Sequence, residues 1–223
     1  MQKKLLLFLG APGSGKGTLS QRCSTELGYE QLSTGNLCRE HVAQCSDIGK
    51  KIDLALKSGK LIDDSLITDM VIQWLQGNPQ KTQIILDGYP RTIIQAEVFN
   101  TFAVSNEEIN PLVVRLKVSE QAVIDRLSMR LICSNQGCQA VYSLLPGSGC
   151  SPLKQDICDQ CAGVLIKRSD DEIDAIRKRL KLYSEHEQRL LDFYNARDYS
   201  IIDLDASKSV EDIFNEFKQR VIA

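Results

Sequence analysis

The N-terminal segment constrains the fold more than any other part of the chain. We expect a strand over residues 4–9, where residues 5–9 are all apolar, and a glycine-rich loop with the sequence GAPGSGKGT follows over residues 10–18. Continuous apolar runs of this length are typical of strands covered on both faces in a parallel sheet. The spacing of residues 16–27 predicts a helix that Gly28 ends. This order of elements predicts a phosphate-binding loop in which Lys16 reaches the terminal phosphates.

Strand-like segments recur along the rest of the chain. Apolar runs lie at residues 83–86, 112–118 and 199–204, and helix-like amphipathic stretches separate them. This alternation predicts an α/β fold built on a parallel sheet. Residues 35–60 look helical without a strong strand, and residues 131–167 contain five of the eight cysteines. We expect these two segments to be insertions in the α/β core.

The composition excludes several classes of protein. The chain has 27 Lys and Arg residues against 29 Asp and Glu residues, a net charge of −2, so no global signal for nucleic acid or an acidic membrane is present. No apolar run approaches the roughly 18–20 residues of a membrane-spanning helix. We expect a cytoplasmic monomer without nucleic-acid or membrane partners.

The cysteines of residues 131–167 suggest a metal site. Cys158 and Cys161 form a C-x-x-C pair, and Cys133 and Cys138 form a second pair with four residues between them. Paired thiolates at such spacings are typical of structural zinc sites in proteins without an export signal. We predict zinc bound by these four residues, with Cys150 as a fifth candidate ligand. The alternative is a segment without metal, in which the cysteines only pack.

Four motifs in order along the chain resemble those of the adenylate kinase family. They are residues 10–18, 32–39 (LSTGNLCR), 86–92 (LDGYPRT) and 168–171 (RSDD). The resemblance implies a P-loop nucleoside triphosphate hydrolase-like core with a five-stranded parallel sheet flanked by helices. It also implies transfer of the terminal phosphoryl group of ATP to AMP, giving two ADP, with Mg²⁺ bound to ATP and structural zinc in a lid. Such an activity serves nucleotide homeostasis and purine salvage.

The resemblance also divides the chain and assigns its site residues. It places the core at residues 1–32, 63–125 and 168–223, an AMP-binding insertion at 33–62 and a zinc-bearing lid at 126–167. The residues that it assigns to ATP are Gly13, Ser14, Gly15, Lys16, Gly17, Thr18, Arg126, Arg130, Val141, Tyr142 and Lys208. Those that it assigns to AMP are Thr34, Arg39, Lys60, Ile62, Gly88, Arg91, Gln95, Arg168 and Arg179.

Phosphoryl transfer needs positioning and charge neutralisation more than a protein nucleophile, which favours cationic side chains in catalytic roles. The predicted catalytic residues are Lys16, Asp87, Arg91, Arg126, Arg130, Arg168 and Arg179. Asp87 ends an apolar strand, where a carboxylate can hold Mg²⁺ or its waters. Arg126 and Arg130 lie four apart on a predicted helix, and residues 169–172 predict a capping box with acids in the first turn of a helix.

Two positions bear on rate and acceptor. Asn36 stands where the family usually has Asp, so a carboxylate that helps to order Mg²⁺ hydration is missing. Thr92 stands where the related uridylate–cytidylate kinases have Asn, which favours AMP as acceptor. Other hypotheses remain open: a GTP-using AMP kinase, a pyrimidine nucleoside monophosphate kinase, or a nucleotide-binding zinc-ribbon protein with little transfer activity.

Overall fold

A computed structural model describes residues 3–57, 62–106, 109–135, 137–138 and 140–222. Within these ranges no helix has both the length and the apolar composition that crossing a bilayer requires. The chain divides into two compact units. The first unit comprises residues 1–9, 19–115 and 186–203, and the second comprises residues 10–18, 116–185 and 204–223. The predicted division into a core and two insertions stays a prediction.

Helices and strands alternate over most of the described chain. The helices are α1 (Lys16–Leu27), α2 (Thr34–Ala43), α3 (Asp47–Lys57), α4 (Asp64–Gly77), α5 (Ile93–Ser105), α6 (Glu120–Ser128), α7 (Ile173–Asn195) and α8 (Val210–Phe217). The strands are β1 (Lys3–Leu9), β2 (Glu30–Ser33), β3 (Gln83–Asp87), β4 (Ile109–Lys117), β5 (Arg130–Cys133), β6 (Val141–Ser143), β7 (Leu165–Ile166) and β8 (Ile201–Asp205).

The main sheet has five strands in the order β2-β3-β1-β4-β8, which confirms the predicted α/β architecture. The pairs β2–β3, β3–β1 and β1–β4 are parallel. The four predicted strands correspond to β1, β3, β4 and β8. Sequence reasoning located no apolar run for β2, because only Leu32 of its four residues is buried.

The first unit is organised around an extensive apolar cluster. Its members run from Leu5 in β1 through Leu75 in α4 and Phe99 in α5 to Tyr194 in α7. Side-chain oxygens fix the starts of two helices packed there: Asp63 accepts hydrogen bonds from the N–H groups of the first turn of α4, and Thr92 accepts one from the first turn of α5. Such caps satisfy donors that lack an intrahelical partner. They fix where each helix begins at the edge of the core.

The second unit has smaller apolar clusters. One joins Ala11, Val123, Leu127, Ile176 and Leu180. The other lies within a three-stranded antiparallel sheet of order β6-β5-β7, which sequence reasoning did not predict. These strands have two to four residues each, too short to show a two-residue periodicity.

Two local predictions in the second unit are wrong. Helix α6 ends at Ser128 and Arg130 is the first residue of β5, so Arg126 and Arg130 do not share a helical face. Helix α7 begins at Ile173, so Asp170 and Asp171 precede it in a short 3-10 turn instead of occupying its first turn. The ion pairs of these two acids, described below, hold that turn, and the Asp171 side chain is buried.

Candidate active site

The glycine-rich loop lies between β1 and α1, as the sequence predicted. The Lys16 ammonium donates to the carbonyl oxygens of Gly10 at 2.6 Å and Ala11 at 2.9 Å, so its side chain folds back over the loop. Its residues Gly15, Gly17 and Thr18 flank Lys16 at the start of α1, where the N-terminal N–H groups of a helix can bind an anion. The loop therefore combines an ammonium group with a helix N-terminus.

Close packing against neighbouring side chains also fixes the glycine-rich loop. Gly13 has a φ of +81°, and a Cβ atom there would lie 2.7 Å from Cγ of Leu127, so only glycine fits without displacing that side chain. The Ser14 side chain is fully buried, and its hydroxyl has no hydrogen-bond partner within the described part of the chain. A buried hydroxyl of this kind retains a donor for a ligand oxygen.

Four residues that the sequence assigned to AMP form one network in the first unit, which we call the acceptor network. The carbonyl oxygen of Gly88 accepts from Oγ1 of Thr34 at 3.0 Å and from Nε of Arg91 at 2.8 Å. The backbone N–H of Arg91 donates to Oε1 of Gln95 at 2.7 Å. Thr34 and Gln95 are buried, whereas Arg91 is exposed. An exposed guanidinium is thus anchored on a buried framework.

Arg39 lies on α2 beside the position at which the family resemblance expects an acid. Its Nη2 atom donates to Oδ1 of Asn36, one turn earlier on the helix. Burial raises the pKa of the nearby Cys38 thiol, while the guanidinium charges of Arg91 and Arg39 act in the opposite direction. The charges of both arginines therefore influence the same thiol, that of Cys38. The amide of Asn36 orients Arg39 without adding charge.

Asp87 ends β3, at the carboxyl end of a parallel strand. Oδ2 of Asp87 accepts from Nε2 of Gln31 at 3.0 Å, and the register of β2 against β3 pairs Ser33 with Asp87. Gln31, Ser33 and Asn36 also line a cavity of about 150 Å³ in the same unit. A neutral amide thus orients the carboxylate.

Two of the predicted phosphate-binding arginines are paired with acids. Arg130 donates to both oxygens of Asp171, at 2.8 and 2.6 Å, and the side chains are 15% and 3% exposed. Arg179 lies 3.0 Å from Oδ2 of Asp170 and 3.5 Å from Oδ1 of Asp171. A buried pair resists separation, because removing one member would leave a charge without compensation. Arg130 of β5 and Arg179 of α7 consequently both contact Asp171, just before α7.

The remaining predicted residues are less connected to these groups. Nη2 of Arg126 donates to the carbonyl oxygen of Ala206 at 2.7 Å, and burial lowers the pKa of this guanidinium. Lys208 is exposed and bridges to Glu216 at 2.8 Å. Arg168 is half-buried, and Ile62 packs against the core of the first unit. Lys60 lies outside the described residues.

The four predicted zinc ligands form a compact group, here called the cysteine cluster. The Sγ atoms of Cys133, Cys138, Cys158 and Cys161 all lie within 4.8 Å of one another, and Cys150 does not belong to this group. Sulfur pairs lie at 3.4 Å (Cys133–Cys161) and 3.6 Å (Cys138–Cys158). A tetrahedral zinc with Zn–S bonds of about 2.3 Å would place its sulfurs about 3.8 Å apart. The group has the dimensions of such a site.

Backbone donors surround the cysteine cluster. Three of its sulfurs accept an N–H group from the residue two positions later, and these pairs are Cys133 with Asn135, Cys138 with Ala140 and Cys158 with Gln160. Gly163 fits beside the sulfurs because it lacks a Cβ atom, which would lie 3.0 Å from Sγ of Cys133. Donors aimed at sulfur favour thiolates, the form in which cysteine binds a metal.

Tyr142 is part of the same arrangement. Its buried hydroxyl lies 3.4 Å from Sγ of Cys158 and accepts from the N–H of Asp159 at 2.8 Å. Since that N–H can only donate, the hydroxyl proton is free to point at the sulfur. The Tyr142 hydroxyl lowers the pKa of the Cys158 thiol to about 6, with help from two backbone N–H groups. The adjacent Val141, also assigned to ATP, is 47% exposed.

Comparisons with known proteins identify the relationship. A family model described as adenylate kinase matches residues 8–199. A protein named adenylate kinase from Archaeoglobus fulgidus is 35% identical over 213 residues, which cover 96% of this chain and 95% of that protein. Another of that name, from Treponema denticola, is 37% identical over 212 residues and covers 95% of this chain and 96% of its own.

The chain belongs to the adenylate kinase family. Membership makes the chain an enzyme and confirms the resemblance inferred from its four motifs. The structure brings two sets of the predicted site residues together, the acceptor network and the cysteine cluster. The roles assigned to these residues stay predictions.

Sequence reasoning missed the residues that support this adenylate kinase site. Gln31, which holds Asp87, and Asp64, which holds Gln95 through a 2.7 Å hydrogen bond, were not singled out. Asp64 and Gln95 are 31 positions apart, and no spacing rule relates them. A carboxylate in the first turn of a helix is ordinarily explained by the helix dipole. The presence of an acid at position 64 therefore did not indicate a role in the site.

Proposed function

We propose that this protein catalyses the reversible, Mg²⁺-dependent transfer of the terminal phosphoryl group of ATP to AMP, giving two ADP. The acceptor network is the observation that supports this most, because glycine-rich loops occur with many substrates whereas this network adds a second set of anion-binding groups. It combines an exposed guanidinium, a buried threonine and a buried amide in one hydrogen-bonded group. Within the adenylate kinase family, such a group suits a nucleoside monophosphate.

On the donor side, we assign the glycine-rich loop and Lys16 to the phosphates of ATP. Backbone N–H groups at the start of α1 would bind phosphate oxygens, and the Lys16 ammonium would exchange the carbonyls of Gly10 and Ala11 for stronger anionic acceptors. Mg²⁺ bound to ATP would neutralise phosphate charge, and we assign Asp87 to hold it or its waters. Gln31 keeps the Asp87 carboxylate oriented.

On the acceptor side, Arg39 and Arg91 would neutralise the AMP phosphate, and Thr34 and Gln95 would orient the nucleoside. Arg126, Arg130, Arg168 and Arg179 are assigned to the charge that spreads over the transferred group. For transfer, cationic side chains must hold the terminal phosphate of ATP in line with the phosphate of AMP. No protein nucleophile is needed. The monomeric state, the cytoplasmic location and the lack of nucleic-acid partners remain predictions.

The cysteine cluster is proposed to bind one structural zinc ion. The fit rests on the separations between its sulfurs and on the backbone N–H groups that favour thiolates. Burial raises the pKa of Cys133, so a cation would be needed to keep that thiol ionised beside its neighbours. Zinc would tie together a segment whose own apolar core is small. Its role would be structural, not catalytic.

The decisive experiment supplies ATP and Mg²⁺ with AMP, UMP, CMP or GMP as sole acceptor and follows the diphosphates by chromatography. We expect ADP only with AMP, and a parallel assay with GTP as donor measures the donor preference. Lys16→Met should lower kcat by at least about 100-fold, because a charge-stabilising donor is lost. Lys178→Met, at an exposed position on α7, is the matched control and should leave kcat unchanged.

Other outcomes would favour the alternatives. Preferred phosphorylation of UMP or CMP would identify a pyrimidine nucleoside monophosphate kinase, and preference for GTP with AMP would identify a different donor. Binding of ATP and AMP without transfer would indicate a nucleotide-binding protein. Asn36→Asp would then show whether the missing carboxylate is the reason.

A further inference from the structure

The side-chain amide of Gln95 is held in one orientation by two partners of opposite hydrogen-bonding type. The backbone N–H of Arg91 donates to Oε1 at 2.7 Å, and Oδ1 of Asp64 accepts from Nε2 at 2.7 Å. A backbone N–H can only donate and an ionised carboxylate can only accept. Rotating the amide by 180° would set donor against donor and acceptor against acceptor. The two ends of this amide are therefore not interchangeable.

The carboxylate that holds the amide is itself held. Oγ1 of Thr92 donates to Oδ2 of Asp64 at 2.8 Å and accepts the backbone N–H of Gln95 at 3.2 Å. Because the Gln95 N–H supplies the proton of that second bond, the hydroxyl proton must go to Asp64. Both carboxylate oxygens thus have a defined donor, one on each side. Asp64 lies in the first turn of α4, which Asp63 caps, so its backbone is fixed as well.

The Gln95 amide keeps part of its hydrogen-bonding capacity. Within the described residues, each end of the amide has one partner, whereas the oxygen can accept two hydrogen bonds and the nitrogen can donate two. The side chain of Gln95 is only 4% exposed, so water does not readily satisfy the rest. Nε2 thus retains one hydrogen to donate, and Oε1 retains one lone pair to accept a hydrogen bond. These two groups, in fixed positions, match a ligand edge with an acceptor facing Nε2 and a donor facing Oε1.

Adenine has such an edge, whichever side it presents. Its N6 amino group donates, and its N1 and N7 atoms accept. A 6-oxopurine has an accepting O6 in place of the amino group, and its N1 carries a hydrogen. An amide that could rotate would match either base, whereas the fixed amide matches adenine alone. Buried groups that are left unpaired reject the wrong base.

We propose that Asp64 is a positioning residue that makes the acceptor site discriminate against 6-oxopurines, because it prevents the Gln95 amide from rotating. The proposal rests on the proposed function, in which Gln95 orients the nucleoside of AMP. It adds to that function the physical origin of base selectivity. Arg91 contributes through its backbone N–H, which only proline would remove, so Asp64 is the partner that a conservative mutation can change.

The test compares AMP with inosine 5′-monophosphate (IMP), whose base differs from adenine at these positions. Steady-state phosphoryl transfer gives kcat/KM for each acceptor, and calorimetry gives each Kd without requiring turnover. The Asp64→Asn variant keeps the shape but replaces an acceptor-only group by an amide. We expect the AMP-to-IMP ratio of kcat/KM to fall about tenfold. The fall should come from changes in the KM values for the two acceptors, whereas kcat for AMP should stay nearly constant.

Two matched variants separate positioning from general damage. Asp63→Asn makes the same substitution at the adjacent cap, which Asn also fills well, and should leave the ratio within about twofold. Asp64→Glu keeps an acceptor-only carboxylate and should preserve the preference for AMP. If Asp64→Asn does not fold, Thr92→Val tests the same idea, because it removes the hydroxyl that fixes the carboxylate, and should lower the ratio about threefold.

The possible failures are distinguishable. A folded Asp64→Asn variant with the wild-type ratio of both kcat/KM and Kd would overturn the proposal and leave adenylate kinase activity intact. A wild-type protein that binds AMP more tightly than IMP but phosphorylates neither would overturn the proposed function, and the Kd ratio of the variant would still decide the role of Asp64. If AMP does not bind, both are wrong.

Discussion

The acceptor network and the cysteine cluster reach a fixed geometry by different means. The acceptor network lies where β3 ends and where α2 and α5 begin, at the edge of the extensive apolar cluster of the first unit. The cysteine cluster lies in short strands and turns whose buried group is Leu131, Cys133, Tyr142, Cys158 and Leu165. Two of these five buried residues are themselves proposed ligands. Core packing supports the first region, whereas the second is proposed to depend on a metal.

The sizes of the two buried groups make the same contrast. The apolar cluster of the first unit has 21 buried residues, whereas the cluster around the cysteines has five, among the residues that the structure describes. A small buried group limits the stability that burial can supply. The proposed zinc ion would add a cross-link between the turns of this segment. We therefore expect perturbations of the two regions to have separable effects.

The largest expected effect is from Cys158→Ser. Loss of one of four thiolates should weaken zinc binding on the order of 1,000-fold or more, about 4 kcal/mol, because structural zinc sites require all their ligands. Metal analysis of the purified protein should give about one zinc per chain for the wild type and almost none for the variant, with a lower Tm. Cys150→Ser, outside the cluster, should retain the zinc. Full zinc content in the Cys158 variant would refute the assignment.

The next largest effect is expected in the core of the first unit. Leu75→Ala removes a side chain that is 1% exposed, which should lower the free energy of unfolding by about 3 kcal/mol and Tm by about 6–12 °C. The zinc content should not change. Leu54→Ala, at a position 67% exposed, should change Tm by less than about 2 °C. Loss of zinc together with the core mutation would show that the two regions are not independent.

The smallest of these effects is expected from Tyr142→Phe. Without the hydroxyl that faces Cys158, zinc affinity should fall about tenfold, as is typical for residues that hydrogen-bond to metal ligands. The KM for ATP should stay constant, because the aromatic ring remains in place. Competition with a chromophoric chelator measures the affinity. Val141→Ala is the companion variant, since it changes the exposed neighbour and leaves the hydroxyl intact.

The opposite pattern would revise the comparison. If Tyr142→Phe raised the KM for ATP and left zinc affinity unchanged, the hydroxyl would serve the nucleotide and not the metal. The resemblance assigned Tyr142 to ATP, whereas the structure places its hydroxyl against the sulfur of Cys158. Measuring both quantities in one variant decides between these roles.

Sequence patterns were sufficient wherever neighbours along the chain determine the structure. The apolar run of β1 and the helix α1 ending before Gly28 were predicted to within a residue. Local patterns failed where partners are distant in sequence. Arg130 was expected on a helix, yet it opens β5 and pairs with Asp171, 41 positions away. No periodicity within one segment encodes such a pair, because the buried charge is satisfied only after the chain folds.

The sequence alone determined that this protein has a glycine-rich loop on an α/β core and that it resembles adenylate kinases, and its paired cysteines predicted a metal-binding segment. These features depend on the spacing of residues within short segments, and folding does not change that spacing. The tertiary structure decided which cysteines meet, which acids hold the arginines, and which way the Gln95 amide faces. Those outcomes depend on hydrogen bonds between distant residues, whose direction is fixed only when each donor meets its acceptor.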